Sequence, residues 1–173
     1  MEERMSNKPK MTKDTIPENF TLSLALVDAL PVLFFGGSMI LTGLLFGKPL
    51  FLVGAALCFW AGAAKVLWKI IVVTRRKNIW WLFLQMRTVM PLGFALMLLS
   101  VILNRSTINL TSVLVAVLSL PSAIFFAAGV TGMVLMGVFA AKLDSADVRS
   151  NWIEQLTNTI AQAAIFTGIL FLF

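Results

Sequence analysis

Long uncharged stretches set the pattern of this chain. They cover 29–47, 49–64, 88–104, 106–141 and 155–173, separated by single charges and short polar clusters. A run of about 18 or more apolar residues is enough for a spanning helix, because about 20 residues at 1.5 Å rise cross the hydrocarbon core. Three of the five runs reach that length alone, and the other two reach it once Lys65 or Arg87 is admitted. In lipid every backbone N–H must be satisfied within its own segment, so these runs are helices and not open strands.

The pattern therefore predicts an all-α integral membrane protein, a bundle of about five transmembrane helices. The predicted spans are roughly 22–46, 50–73, 79–103, 113–140 and 152–173. The breaks carry turn chemistry. Gly47-Lys48-Pro49 is a tight turn, Thr74 to Asn78 a basic connector and Asn104 to Thr107 a polar cluster. Lys142 to Asn151 forms a charged loop, in which Ser150 or Asn151 is expected to cap the last helix. The fourth segment is over-long. Its 110–141 stretch holds Pro121, so either it kinks there or the part before Pro121 lies along the interface.

Residues 1–20 mix Lys, Arg, Asp and Glu and are too few to bury a core, so they are expected to form a flexible cytoplasmic tail. Residues 21–173 then make a single transmembrane domain. The first apolar run is longer than a signal-peptide core and no small-residue cleavage site follows it, so the first span is expected to be retained.

Charge distribution gives an orientation. Arg4, Lys8, Lys10, Lys13, Lys69, Arg75, Arg76, Lys77, Lys142 and Arg149 fall on one side, against Lys48 and Arg105 on the other. By the positive-inside rule the N-terminus is expected in the cytoplasm and the C-terminus outside, in a cell membrane. Trp68, Trp80, Trp81 and Trp152 are expected at the same cytoplasmic interface. On this reading the net charge of +6 is a topology signal, and no nucleic-acid partner is expected.

Composition narrows the chemistry. Cys58 is the only cysteine and there is no histidine, so a disulfide framework, the commonest metal ligand and the commonest general base are all missing, and no metal site is expected. No catalytic residues and no cofactor are expected. An intramembrane enzyme would need a group poised near neutral pH, and only a desolvated Lys65 offers one.

The candidate site is a layer of polar groups inside the spans. An ionisable side chain in hydrocarbon costs several kcal/mol unless paired or hydrated. Asp28, Lys65 and Arg87, with Gln85, lie on three spans at similar depth, roughly 9–12 Å from the cytoplasmic end. Asn158 and Gln162 follow Gln155 on one face of the last span, and Thr131 reaches that level on the fourth. The expected ligand-binding set is Asp28, Lys65, Gln85, Arg87, Asn158 and Gln162. Other roles are open to these residues: Lys65 and Arg87 can snorkel, and Asp28 can cap a helix starting at Ala29 or pair with Lys65 or Arg87. Gly54, Cys58 and Gly62 form a small-residue series, and Gly43 and Gly47 a GxxxG pair, both expected at helix-packing faces.

Two functions fit. One is a small transporter or permeation subunit that binds a polar or anionic solute at the charged layer. The other is a scaffold, accessory subunit or lipid-binding protein in which the buried charges are structural. Expected partners are the lipid bilayer and a homo-oligomer or membrane-embedded partner.

Overall fold

A computed structural model describes residues 21–143 and 147–173, except the side chain of Ala140. The predicted tail, 1–20, and residues 144–146 lie outside the described residues. The structure is all-helical, with 85% helix and no strand among the described residues. Its elements are α1 (Leu22–Val27), α2 (Ala29–Phe46), α3 (Pro49–Arg75), α4 (Trp80–Leu84), α5 (Met86–Leu103), α6 (Leu110–Leu118), α7 (Ser122–Lys142) and α8 (Val148–Leu170). Among the described residues, four rods are long and apolar enough to cross a membrane: Leu22–Phe46, Pro49–Arg75, Trp80–Leu103 and Ser122–Phe139.

Prolines and caps explain the boundaries. Pro31 has no N–H to offer the Val27 carbonyl, and its ring crowds that group, so the first rod is interrupted one turn earlier, at Asp28. Asp28 keeps helical angles (φ −64°, ψ −18°) and its side chain makes no capping bond. The alternative that its side chain caps α2 is thereby set aside. Gly47 closes α2 in the left-handed region (φ 62°), and Pro49 opens α3 where its missing N–H costs nothing.

The predicted fourth span, 113–140, is corrected. Ser119 is extended (φ −82°, ψ 151°) and Pro121 cannot continue a hydrogen-bonded helix, so the uncharged run splits into α6 and α7. At nine residues α6 is only about 14 Å long, too short to span. It lies over the ends of α2 and α8, where Leu45, Phe46, Ser112, Val113 and Leu172 surround one cavity.

The rods pack in a row: α5 against α3, α3 against α2, α2 against α8, and α8 against α7. Small residues set the close approaches. A Cβ on Gly54 would stand 2.6 Å from the Gly93 carbonyl oxygen of α5, and one on Gly62 3.0 Å from Val32 of α2. Gly43 meets Leu52 and Phe51 of α3 in the same way, while Gly129 and Gly132 admit α8 at Ile165 and Ala161. Gly47 has nothing within 4 Å of where its Cβ would be, so its role is the turn and not packing.

α8 is not among the four apolar rods. It carries Glu154, Gln155, Asn158 and Gln162, but it packs between α2 and α7 and buries Gln162 there. Hydropathy counts these polar groups as though they faced lipid.

Asp147 caps α8, not Ser150 or Asn151. Its Oδ2 accepts from the Ser150 amide at 2.9 Å and from the Ser150 hydroxyl at 2.8 Å. The Ser150 amide, then its hydroxyl, hold the Asp147 carboxyl below the usual carboxylate range. A depressed folded-state pKa gives stability that is complete above the unfolded value of about 3.9 and is lost as pH falls through the folded one. Amide exchange in the first turn of α8, corrected for intrinsic rates, should therefore accelerate as pH falls below about 4. In Asp147→Asn, whose amide caps without titrating, that change should vanish. Equal acid sensitivity in both proteins would refute the capping role.

Candidate functional site

Cys58, Gly62, Lys65 and Lys69 recur along one face of α3, the face turned towards the α1–α2 junction. Lys69 reaches that junction. Its Nζ lies 2.6 Å from Asp28 Oδ2, and both side chains are about nine-tenths buried. The ion pair therefore forms with Lys69, neither with Lys65 nor with Arg87 as expected. Lys69, counted among the interfacial cations by the sequence pattern, is an interior residue. Trp68 is likewise buried within the bundle. It is 1% exposed, its Nε1 donates to Asn78 Oδ1 at 3.0 Å, and its ring meets Phe83 at 5.0 Å.

One turn from Lys69, Lys65 faces a cavity of about 360 Å³. α2 contributes Pro31, Val32 and Phe35, with Asp28 at its head, and α3 contributes Cys58, Gly62 and Lys65. Met86, Met90 and Phe94 of α5 form one wall; Met133 of α7 with Asn158 and Gln162 of α8 form the other. α5 and α8 stand on opposite sides of the α2–α3 pair, so this space is a cleft between the two ends of the row.

The cleft unites four of the six expected residues: Asp28, Lys65, Asn158 and Gln162. Gln162 Nε2 approaches Met133 Sδ at 3.4 Å, a weak acceptor. Neither Lys65 nor Asn158 has a hydrogen-bond or ion-pair partner among the described residues. Asp28 is already committed to Lys69. Lys65 is thus an amine inside an apolar bundle with no carboxylate of its own.

The other two residues go elsewhere. Gln85 is buried outside the cleft, with Nε2 donating to the Ala61 carbonyl at 3.1 Å and the Leu82 carbonyl at 3.3 Å. It ties the α4–α5 junction to α3, and its Oε1 is buried without a partner. Arg87 is exposed on the outer side of α5, its guanidinium 5.4 Å from the centre of the Phe83 ring. There it lines a second groove of about 580 Å³ with Phe83, Pro91 and Lys65. Thr131 also misses the cleft: it is exposed and donates to the Ala127 carbonyl in its own helix at 2.8 Å. Gln155 lies outside it too, its Oε1 buried without a partner.

The residues that the polar-layer reading missed are apolar. Met86, Met90 and Phe94 recur at i, i+4 and i+8, a signal present in the sequence that reads equally as lipid-facing surface. Phe94 meets Phe35 across the cleft with ring centres 5.9 Å apart. The arrangement offers one cationic group, two neutral hydrogen-bonding side chains and a soft, methionine-rich wall. It lacks the paired nucleophile and base of covalent catalysis among the described residues. No family model, curated protein or solved structure matches this chain.

Proposed function

We propose that the chain is a small membrane transporter or permeation subunit, and that its cleft receives a polar or anionic group at Lys65. The observation that carries this reading is Lys65 itself, a lysine without a partner facing a cavity of about 360 Å³. Such a residue in a spanning helix is costly, and a negative group delivered to it removes that cost. Asn158 and Gln162 supply neutral donors and acceptors on the opposite wall.

In this proposal α8 is the fifth span, packed between α2 and α7 with Asn158 and Gln162 turned to the cleft. The N-terminus is cytoplasmic, since nine cations (Arg4, Lys8, Lys10, Lys13, Arg75, Arg76, Lys77, Lys142 and Arg149) still oppose Lys48 and Arg105 once Lys69 is set aside. The membrane is a cell membrane, and a homo-oligomer would close the side of the row that a single chain leaves open. Reagent access to cysteines placed at Lys48 and Arg105, in a Cys58→Ala background, tests the orientation: labelling from outside supports it, and labelling from inside reverses it.

A second reading, a scaffold or lipid-binding protein, is favoured by the buried Asp28–Lys69 pair, which knits α3 to the α1–α2 junction without any ligand. Thermal unfolding of the full chain in lipid nanodiscs separates the two. The probes are acetate, inorganic phosphate and a long-chain carboxylate. An anion present at 100 times its Kd stabilises by about 2.7 kcal/mol. On the proposed reading at least one probe raises Tm, and Lys65→Met abolishes the rise. If no probe shifts Tm, or the shift survives in Lys65→Met, the cleft is not an anion site.

A further inference from the structure

We infer that the ligand of the Lys65 cleft is an anionic amphiphile, a single-chain acid taken sideways from the bilayer. The inference rests on the anion-site reading and adds to it the class of ligand and the route of entry. Three observations carry it.

The first is the balance of the lining. Val32, Phe35, Met90, Phe94 and Met133 surround most of the cleft, while Lys65, Asn158 and Gln162 occupy only part of it. A wholly polar solute would lose its water against those apolar walls and gain no hydrogen bonds there. A molecule with an acidic head and an apolar chain matches both parts, and flexible methionines adapt to a chain without fixed shape.

The second is continuity. Lys65, Met86, Met90 and Phe94 line both the cleft and the groove outside α5. Those shared residues set the groove directly beside the cleft with Lys65 in both, and among the described residues α5 packs chiefly against α3, so the inferred route of entry is past α5.

The third is charge. Arg87 stands in the outer groove, exposed and over Phe83, and Lys65 stands at the boundary of the two spaces. Asp28, the carboxylate at the head of the cleft, is neutralised by Lys69. An acidic head therefore meets Arg87 first and Lys65 second, and its carboxylate gives Lys65 what Asp28 gives Lys69.

Photolabelling tests this. The probe is a long-chain fatty acid carrying a diazirine on its chain, added to the full protein in nanodiscs of zwitterionic lipid, with labelled residues mapped by mass spectrometry. Labelling is expected at Met86, Met90, Phe94 or Met133. The unlabelled acid should compete; its methyl ester and the alkyltrimethylammonium of equal length should not. Loss of a hydrogen bond to a charged group predicts at least a roughly tenfold drop in saturable labelling for Lys65→Met, with most of it kept in Lys65→Arg. Arg87→Met should slow labelling more than it lowers its plateau.

If the ester competes as well as the acid, the cleft takes apolar chains without reading the head, and the inference fails. If acetate or inorganic phosphate displaces the probe at matched aqueous concentration, the ligand is a water-borne anion; the amphiphile is then wrong while the anion site stands. Labelling unchanged in Lys65→Met, together with no Tm shift from any anion, removes both. The ester competition needs no variant, so a misfolded Lys65→Met still leaves a decisive result.

Discussion

Asp28→Asn should destabilise the folded chain by about 3–5 kcal/mol, whereas Lys65→Met should leave its stability unchanged or raise it. The two lysines are one turn apart on α3, so composition and depth predict the same outcome for both. Their partners differ. Lys69 holds Asp28 at 2.6 Å with both side chains about nine-tenths buried, and removing the carboxylate strands a charge in the interior. Lys65 has no partner to strand, so exchanging it for methionine removes the cost of an unpaired amine and retains most of the side-chain volume. Lys69→Met should lose about as much as Asp28→Asn, and the double variant should recover most of the loss. That recovery is the signature of coupling between the two sites. Reversible unfolding in mixed micelles measures all four proteins. A Lys65→Met loss as large as that of Lys69→Met would mean that Lys65, too, is a structural charge.

The second large effect is expected at a glycine outside the small-residue series. Gly93→Ala should destabilise by about 1–3 kcal/mol, while Gly137→Ala should be neutral or stabilising by up to about 1 kcal/mol. A Cβ on Gly93 would stand 2.6 Å from Cys58 Sγ and 2.7 Å from the Gly54 carbonyl oxygen. The sulfur belongs to a side chain that can be trimmed, but the carbonyl is α3 backbone and can only be relieved by moving the helix. Cys58→Ala should therefore rescue Gly93→Ala in part and no further. Gly137 has nothing within 4 Å and so reports the intrinsic gain from alanine alone. Equal effects at both glycines would mean that α3 and α5 do not approach at this point.

Gly93 shows why part of the packing escaped the sequence pattern. Gly54, Cys58 and Gly62 repeat every four residues and announce a face of α3. Gly93 has no small residue four positions away on either side, since Val89 and Met97 stand there, and it becomes a contact only because α3 lies against it. The polar layer escaped differently. Asp28, Lys65, Asn158 and Gln162 do share one cleft. The direction each side chain takes around its helix was not legible. Gln85 and Arg87 are two residues apart, about 200° around a helix, and they end on opposite sides of the cleft wall, one sealed against Ala61 and the other exposed beside Phe83.

The chain by itself determined what backbone chemistry and solvent preference decide locally. Long uncharged runs require helices and Gly47-Lys48-Pro49 requires a turn, while how the over-long 110–141 stretch breaks at Pro121 stayed open. Tertiary structure decided everything that depends on the rotation of one helix against another. It matched Asp28 to Lys69 and left Lys65 facing the cleft, because α3 presents the former at the α1–α2 junction and the latter one turn along, beside Met90. It also buried Gln162 of α8, a residue that a hydropathy sum counts as though it faced lipid. Such choices are made by contacts between residues tens of positions apart, and no local pattern encodes them.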